Sequence, residues 1–338
     1  MEVIPEAVRV LEWANRRHLL GLETVPFDWG AEKFLREGIS LPEGAVETLR
    51  THFAAILCGA FGDPRVPDNR HAGDILLGLR TGLDLYINLR PVRLLSERIT
   101  PLKHRAIGDI DFVVLRENTE GPYVRIGGQF KRGTAQEIAI QEDVNTRMGV
   151  ERIIAAAFDY ARTHGRRRVT MADKSNVLTY GHDLWQRTFR EVSREYTEIE
   201  AEHQYVDAMA MFFVTNPSRY DVIVTNNLFG DILTDLGAGL VGGLGVAASG
   251  NIHPGAVSLF EPVHGSAPDL AGRGVANPMG AILTVGLLVD YLGSSSSATE
   301  IEQAVADCIT AGETTRDLNG DLSTRQCGDA VLSRLNPA

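Results

Sequence analysis

Apolar runs of strand length alternate along this chain with amphipathic segments of helix length. Phe53-Ala54-Ala55-Ile56-Leu57, Ile110-Asp111-Phe112-Val113-Val114-Leu115, Arg168-Val169-Thr170-Met171-Ala172 and Asp221-Val222-Ile223-Val224-Thr225 read as buried strands. Residues 149–163 and 182–196 carry the apolar spacing of helices. The alternation predicts an α/β fold on a largely parallel sheet. No internal repeat is present. The low-complexity tract Ser294-Ser295-Ser296-Ser297 is expected to form a surface turn before a C-terminal helix that begins near Thr299.

A chain of 338 residues is long enough for two lobes, each with its own core. Glycine or charge interrupts every apolar segment before it reaches the length of a membrane span. A net charge of −11 argues against a nucleic-acid backbone as the main partner but does not forbid local basic clusters. The opening Met1-Glu2-Val3-Ile4-Pro5-Glu6 lacks the features of a signal peptide. Cys58, Cys308 and Cys327 lie far apart with no C-x-x-C, and are expected to be free thiols in a reducing cytoplasm.

The segment Asn227-Leu228-Phe229-Gly230-Asp231-Ile232-Leu233-Thr234-Asp235 follows the last strand and has helical spacing. Asp231 and Asp235 therefore share a face at i and i+4. Like charges so stacked repel unless a cation sits among them. Carboxylates at the carboxyl end of a strand suit Mg²⁺ or Mn²⁺; a solvated helix face is the plain alternative. Arg80, Arg90 and Arg116 carry forks that match carboxylates in a bidentate way, so their convergence would suit a di- or tricarboxylate. Unrelated surface arginines are the alternative there. Tyr123, in Glu120-Gly121-Pro122-Tyr123, would project a phenol from a turn. Lys174 and Asn176 lie just past a strand, and a lysine near a metal and arginines loses its proton more easily and can act as a general base. Asp207 falls in an apolar stretch, where an acid is costly unless it is paired, bound to metal or capping a helix.

Glu261-Pro262-Val263-His264-Gly265-Ser266-Ala267-Pro268-Asp269 is a polar, turn-rich loop. Gly243-Leu244-Gly245-Val246-Ala247-Ala248 roughly fits G-x-G-x-x-A, but it follows a helix-like segment where a dinucleotide fingerprint requires a strand. It is rejected as a Rossmann motif.

Together these segments resemble the isocitrate/3-isopropylmalate dehydrogenase family over nearly the whole chain. The resemblance implies two α/β domains around a large mixed sheet. Residues 1–86 with 242–338 would form the cofactor domain, and 87–241 the substrate, metal and dimerisation domain. It implies that Arg80, Arg90 and Arg116 bind substrate carboxylates, that Tyr123 protonates an enol, and that Lys174 is the base. Asp207, Asp231 and Asp235 would hold the metal, with Lys174 and Asp207 reaching into the site of a second subunit of a homodimer. Glu261, His264, Gly265, Ser266, Ala267, Asp269 and Asn277, with Asn176 and Val177, would contact the cofactor. An acidic Asp269 at the adenosine ribose accepts hydrogen bonds from free hydroxyls and repels a 2′-phosphate, so NAD is expected.

The helix before Arg80 bears on the substrate. Isocitrate enzymes resemble Ser-x-Asn-x-x-x-Arg there, whereas this chain has Asp74-Ile75-Leu76-Leu77-Gly78-Leu79-Arg80. Asp74 would repel a third carboxylate, while Leu76 and Leu77 offer apolar surface to an isopropyl group. The stretch 203–211 is also close to isopropylmalate enzymes. Against this, Arg116-Glu117-Asn118-Thr119-Glu120-Gly121 and Val66-Pro67-Asp68 look like tartrate/D-malate enzymes, and Gly73 stands where isopropylmalate enzymes often have glutamate. The expected reaction is oxidative decarboxylation of 3-isopropylmalate in leucine biosynthesis. D-malate, tartrate, homoisocitrate or isocitrate chemistry and a non-catalytic homologue are the rivals. The family also opens with a strand and a Gly-Asp-Gly-Ile-Gly-x-Glu turn, whose end Met1-Glu2 matches. Lack of that strand would leave a sheet edge unpaired, so a start inside a longer chain or a compromised paralogue is expected.

Overall fold

The computed structural model describes residues 2–336. Its first elements are α1 (Val3–Arg17), α2 (Ala31–Glu37), α3 (Ala45–His52), β1 (Ala55–Leu57), α4 (Arg70–Gly82), β2 (Ile87–Arg93) and β3 (Asp111–Glu117). There follow β4 (Gly127–Phe130), β5 (Ile138–Gln141), α5 (Arg147–Thr163), β6 (Arg168–Asp173), α6 (Gly181–Val192), β7 (Glu200–Tyr205) and α7 (Val206–Thr215). The remainder are β8 (Val222–Thr225), α8 (Asn227–Leu240), β9 (Ala248–Ile252), β10 (Ser258–Pro262), α9 (Met279–Tyr291), α10 (Ser295–Ala311) and α11 (Thr324–Leu335). Eight strands form a sheet in the order β1-β10-β9-β2-β3-β8-β6-β7, and β4 pairs with β5 in a separate antiparallel ribbon. The antiparallel β10–β9 pair makes the large sheet mixed.

The chain divides into two compact units. One takes the segments through Leu85, from Arg90 to Ile110 and from Gly237 onward. Its main core joins α1, α9, α10 and α11. Helix α1 buries Val3, Ala7, Val10, Leu11 and Ala14, an apolar stripe at i, i+4, i+7, i+8 and i+11. Helix α9 is apolar all round and lies in the centre of this core. A second cluster packs Leu49 of α3 and Ile75 and Leu79 of α4 against Leu259 of β10, which fixes the helix that ends in Arg80.

The other unit takes 86–89 and 111–236. Strands β3, β8, β6 and β7 run parallel there. The first three are nearly continuous apolar runs because helices or loops cover both faces. Helix α5 starts at Thr146, whose side chain accepts from the Gly149 amide at 3.0 Å. Its Val150, Ile153, Ile154, Ala157, Phe158 and Ala161 are buried. At the amino ends of the strands, Asp221 accepts from the Arg167 amide at 2.6 Å and from Arg166 Nη1 at 3.1 Å. The register pairs Arg116 with Thr225 and Thr225 with Ala172, so the carboxyl ends of β3, β8 and β6 lie side by side. Chemistry-bearing side chains collect there.

Three sequence expectations change. Ser294–Ser297 is no turn: α10 begins at Ser295, and Ser297 is fully buried. Serine hydroxyls suit a helix start, and Ser295 Oγ donates to Asp290 at 2.6 Å. The helix of 182–196 stops at Val192 and ends in a 3₁₀ turn, Ser193–Glu195. Phe53 caps α3 and leaves a strand of three residues. Among the described residues no helix is long and apolar enough to cross a membrane.

Helix α11 opens with a capping box between Ser323 and Gln326. Ser323→Ala is expected to lower the unfolding free energy in urea by about 1 kcal/mol. An unchanged midpoint would mean that the cap contributes nothing.

Candidate active site

The guanidinium of Arg116 lies at the end of β3 with its side chain only 2% exposed. A cation so far from water needs partners at every edge. Nε and Nη2 donate to Asn227 Oδ1 at 2.9 and 2.7 Å, and Nη1 donates to Asp231 Oδ1 at 2.5 Å. Asn227 Nδ2 donates in turn to the Glu120 carbonyl at 3.0 Å. Tyr123, in the 3₁₀ turn Pro122–Val124, donates from Oη to Asp231 Oδ2 at 3.1 Å, with the Arg116 guanidinium 5.2 Å from its ring. Arg116, Tyr123 and Asp231 thus meet at one point, as the sequence spacing alone could not show. Asp235 lies one turn further along α8 and is exposed.

Gly230 makes this meeting possible. A Cβ there would stand 2.5 Å from Arg116 Cγ and 2.7 Å from its Cβ, so the helix carries no side chain where the arginine stem crosses it.

The end of β6 carries a second group. Lys174 Nζ pairs with Asp207 Oδ2 at 2.8 Å and lies 5.7 Å from the Tyr205 ring. The Lys174 ammonium holds the Asp207 carboxyl below its ordinary value. Asp207 is exposed in the first turn of α7, and Tyr205 occupies the N-cap, so neither burial nor capping explains this acid. Its apolar neighbours mislead because Met211 and Val214 are themselves exposed. The Lys174 amide donates to Nδ1 of the buried His182 at 2.8 Å. Asn176 and Val177 are exposed in the turn that follows, where the Lys174 carbonyl accepts from the Val177 amide at 2.9 Å.

Among the described residues no three His, Cys, Asp or Glu side chains gather into a metal cluster within the chain. The donors present nevertheless suit a hard divalent cation. Asp231 and Asp235 offer carboxylate oxygens one helical turn apart, and Asp207 presents another on an exposed helix start.

In the other unit, Arg80 in the last turn of α4 donates from Nη2 to Glu261 Oε1 at 3.1 Å, and Asn251 donates to the same oxygen at 2.9 Å. Burial pushes the nearby Cys58 thiol well up, Glu261 adding to the effect and Arg80 opposing it. Leu76 and Leu77 are half-buried on α4, Asp74 is exposed and accepts from Ser40 Oγ at 3.0 Å, and Arg90 is buried on β2.

In the loop after β10, Gly265 and Asp269 are exposed, Ser266 is half-buried, and Ala267 adopts a left-handed φ of 42°. His264 Nε2 is buried without a hydrogen-bond partner among the described residues, a donor or acceptor held ready for a polar ligand. That orphaned atom and the exposed Asp269 fit a nucleotide. Asn277 is buried; it donates to Asp317 at 2.9 Å and accepts from the Met279 amide at 2.9 Å. Gly245, in the rejected glycine motif, has a packing role. A Cβ there would come within 2.4 Å of Asp317 and 3.0 Å of Asn277 Nδ2, and the segment leads into β9 instead of following a strand.

Sequence reasoning assigned no role to Asn227, His182, Asp173 or His203. Asn227 was within reach, since it lies four residues before Asp231 on the same helix face. Long-range pairing hid the others.

Gly230→Ala should be read against helix propensity, which alone favours alanine by up to about 1 kcal/mol. Displacement of Arg116 is expected to lower kcat/KM by roughly 100-fold while the fold persists. Wild-type kinetics for this variant would show that the close approach is unimportant.

The isocitrate/isopropylmalate dehydrogenase family model matches residues 1–331. A protein of Thermobifida fusca named 3-isopropylmalate dehydrogenase is 49% identical, with 99% of this chain and 94% of that protein covered. One of Clavibacter sepedonicus with the same name is 48% identical, with 99% and 94% covered. The crystal structure of isocitrate dehydrogenase from Methylococcus capsulatus superposes with a TM-score of 0.85 at 36% identity, covering 99% of this chain and 95% of that one. By sequence and by fold, this chain belongs to the isocitrate/isopropylmalate dehydrogenase family.

Proposed function

We propose that this chain catalyses the NAD-dependent oxidative decarboxylation of 3-isopropylmalate, a step of leucine biosynthesis. The observation that carries this reading is the meeting of Arg116, Tyr123 and Asp231: a carboxylate anchor, a proton donor and a metal donor within hydrogen-bond distance. The relatives named 3-isopropylmalate dehydrogenase support the substrate. So do half-buried Leu76 and Leu77 on α4, where a third substrate carboxylate would find Asp74.

In this reading Arg80, Arg90 and Arg116 hold the two carboxylates of the malate. Lys174 takes the proton of the 2-hydroxyl as the C2 hydride departs. The bond to the 3-carboxylate then breaks, CO₂ leaves, and Tyr123 gives its proton to the carbon left behind. Bound NAD⁺ would supply the hydride acceptor, lying along Glu261, His264–Ala267, Asp269 and Asn277 with Asn176 and Val177. A divalent cation on Asp207, Asp231 and Asp235 would supply Lewis acidity.

Two chains would share each site. The exposure of apolar Phe130, Ile138 and Ile140 on the β4–β5 ribbon and of Met211 and Val214 on α7 supports this. Three free cysteines accord with a cytoplasmic location.

Initial rates with isopropylmalate, D-malate, tartrate and isocitrate, each with NAD⁺ or NADP⁺, test the substrate and the cofactor. Burying three extra carbons is worth on the order of 2 kcal/mol, so isopropylmalate should exceed D-malate roughly 30-fold in kcat/KM. Equal turnover of D-malate would overturn the substrate, and preference for NADP⁺ the cofactor. Chelation with EDTA should abolish turnover, and Mg²⁺ or Mn²⁺ should restore it; full activity in EDTA would remove the cation from the mechanism.

A further inference from the structure

We propose that His182 is a positioning residue for the general base, fixing the backbone of Lys174 through a hydrogen bond that only a neutral imidazole accepts. The inference rests on the reading of Lys174 as base.

Lys174 is the first residue beyond β6, where its N–H has left the strand. That N–H donates to His182 Nδ1 at 2.8 Å. The flanking residues are tied as well. Fully buried Asp173 accepts from the Ser175 amide at 3.0 Å, from His203 at 2.8 Å and from Gln186 at 2.7 Å. Burial pushes the Asp173 carboxyl up, but hydrogen bonds from His203, Ser175 and Gln186 outweigh it and hold it below its ordinary value. A lysine has a flexible four-carbon stem, so where Nζ can reach depends on where Cα is held. Asp207 and the Tyr205 ring then guide the ammonium. A catalytic group must sit within about 0.5 Å of its productive position, so loss of the backbone anchor matters even though His182 is remote from the reacting atoms.

His182 is fully buried in the first turn of α6. Its Nε2 faces the Asn226 amide at 3.3 Å and the Asp143 carboxylate at 4.0 Å, and its ring meets Phe229 edge-on at 5.5 Å. The titratable groups around it are Asp173 and Lys174 from the end of β6 and Asp143 from the segment before α5; Asn226 and Phe229 do not titrate. Burial lowers the His182 pKa below its ordinary 6.5 against the pull of Asp173 and Asp143. Protonation would place a hydrogen on Nδ1, facing the Lys174 N–H. The anchor is therefore complete above the ordinary histidine value and is lost as pH falls through the lowered one.

Steady-state kinetics across acid and neutral pH on wild type, His182→Ala, His182→Asn and Lys174→Met, with thermal unfolding alongside, test this role. An asparagine Oδ1 can replace Nδ1 as acceptor and does not titrate. His182→Ala is expected to lose about tenfold or more in kcat with KM little changed, and His182→Asn to recover most of it. Below pH 6.5 the wild-type kcat should fall more steeply than that of His182→Asn. Should His182→Ala fail to fold, the two acid limbs decide the matter. Superimposable limbs in wild type and His182→Asn, with Lys174→Met inactive, would overturn the positioning role alone. An active Lys174→Met enzyme would overturn the base assignment and this role with it.

Discussion

A guanidinium buried at the end of a central strand must be neutralised, and this requirement organises the unit that contains Arg116. Stripping a partner from a buried charge pair costs roughly 3–5 kcal/mol, more than most single contacts in a fold can offset. Asn227 and Asp231, one helical turn apart, meet the two edges of the fork. Gly230 between them clears the path for the arginine stem. The first turns of α8 are thereby locked to β3, and Asp231 is set where Tyr123 can reach it. In the proposed reaction the same carboxylate would serve a cation, so a structural counter-charge would double as a metal donor.

The parallel register extends this constraint along the sheet. Because Arg116, Thr225 and Ala172 are neighbours across β3, β8 and β6, the loops that leave these strands emerge together. Lys174 leaves from one of them, anchored by buried Asp173 and His182. Hydrogen bonds keep Asp173 ionised against its burial, and burial keeps His182 neutral, which ties the geometry of this turn to electrostatics.

Local patterns carried much of this information. The run 222–225 is β-branched because it is buried on both faces, and the i, i+4 spacing of Asp231 and Asp235 survives intact in α8. The rejection of the glycine motif stands on order alone, since 243–248 follows helix α8 and runs into β9. What escaped was non-local or ambiguous. Asn227 lies in the most informative motif, yet its partner Arg116 is 111 residues away. The Asp317 carboxylate that holds the Asn277 amide lies 40 residues further along the chain, where no local pattern points to it. Asp207 looked buried because sequence cannot separate an apolar core face from an apolar exposed one. The serine tract favours turn and helix start equally, and packing of Ser297 decided between them.

The central claim is that two chains complete each catalytic site, Lys174 and Asp207 from one joining Asp231 and Asp235 of the other. Co-expression of Lys174→Met and Asp231→Asn chains, with the hybrid dimers purified by separate tags, measures this directly. In a two-fold dimer each hybrid keeps one intact site, so activity is expected to return to about half of wild type per dimer although either parent is inactive. Hybrids as inactive as their parents would contradict a shared site.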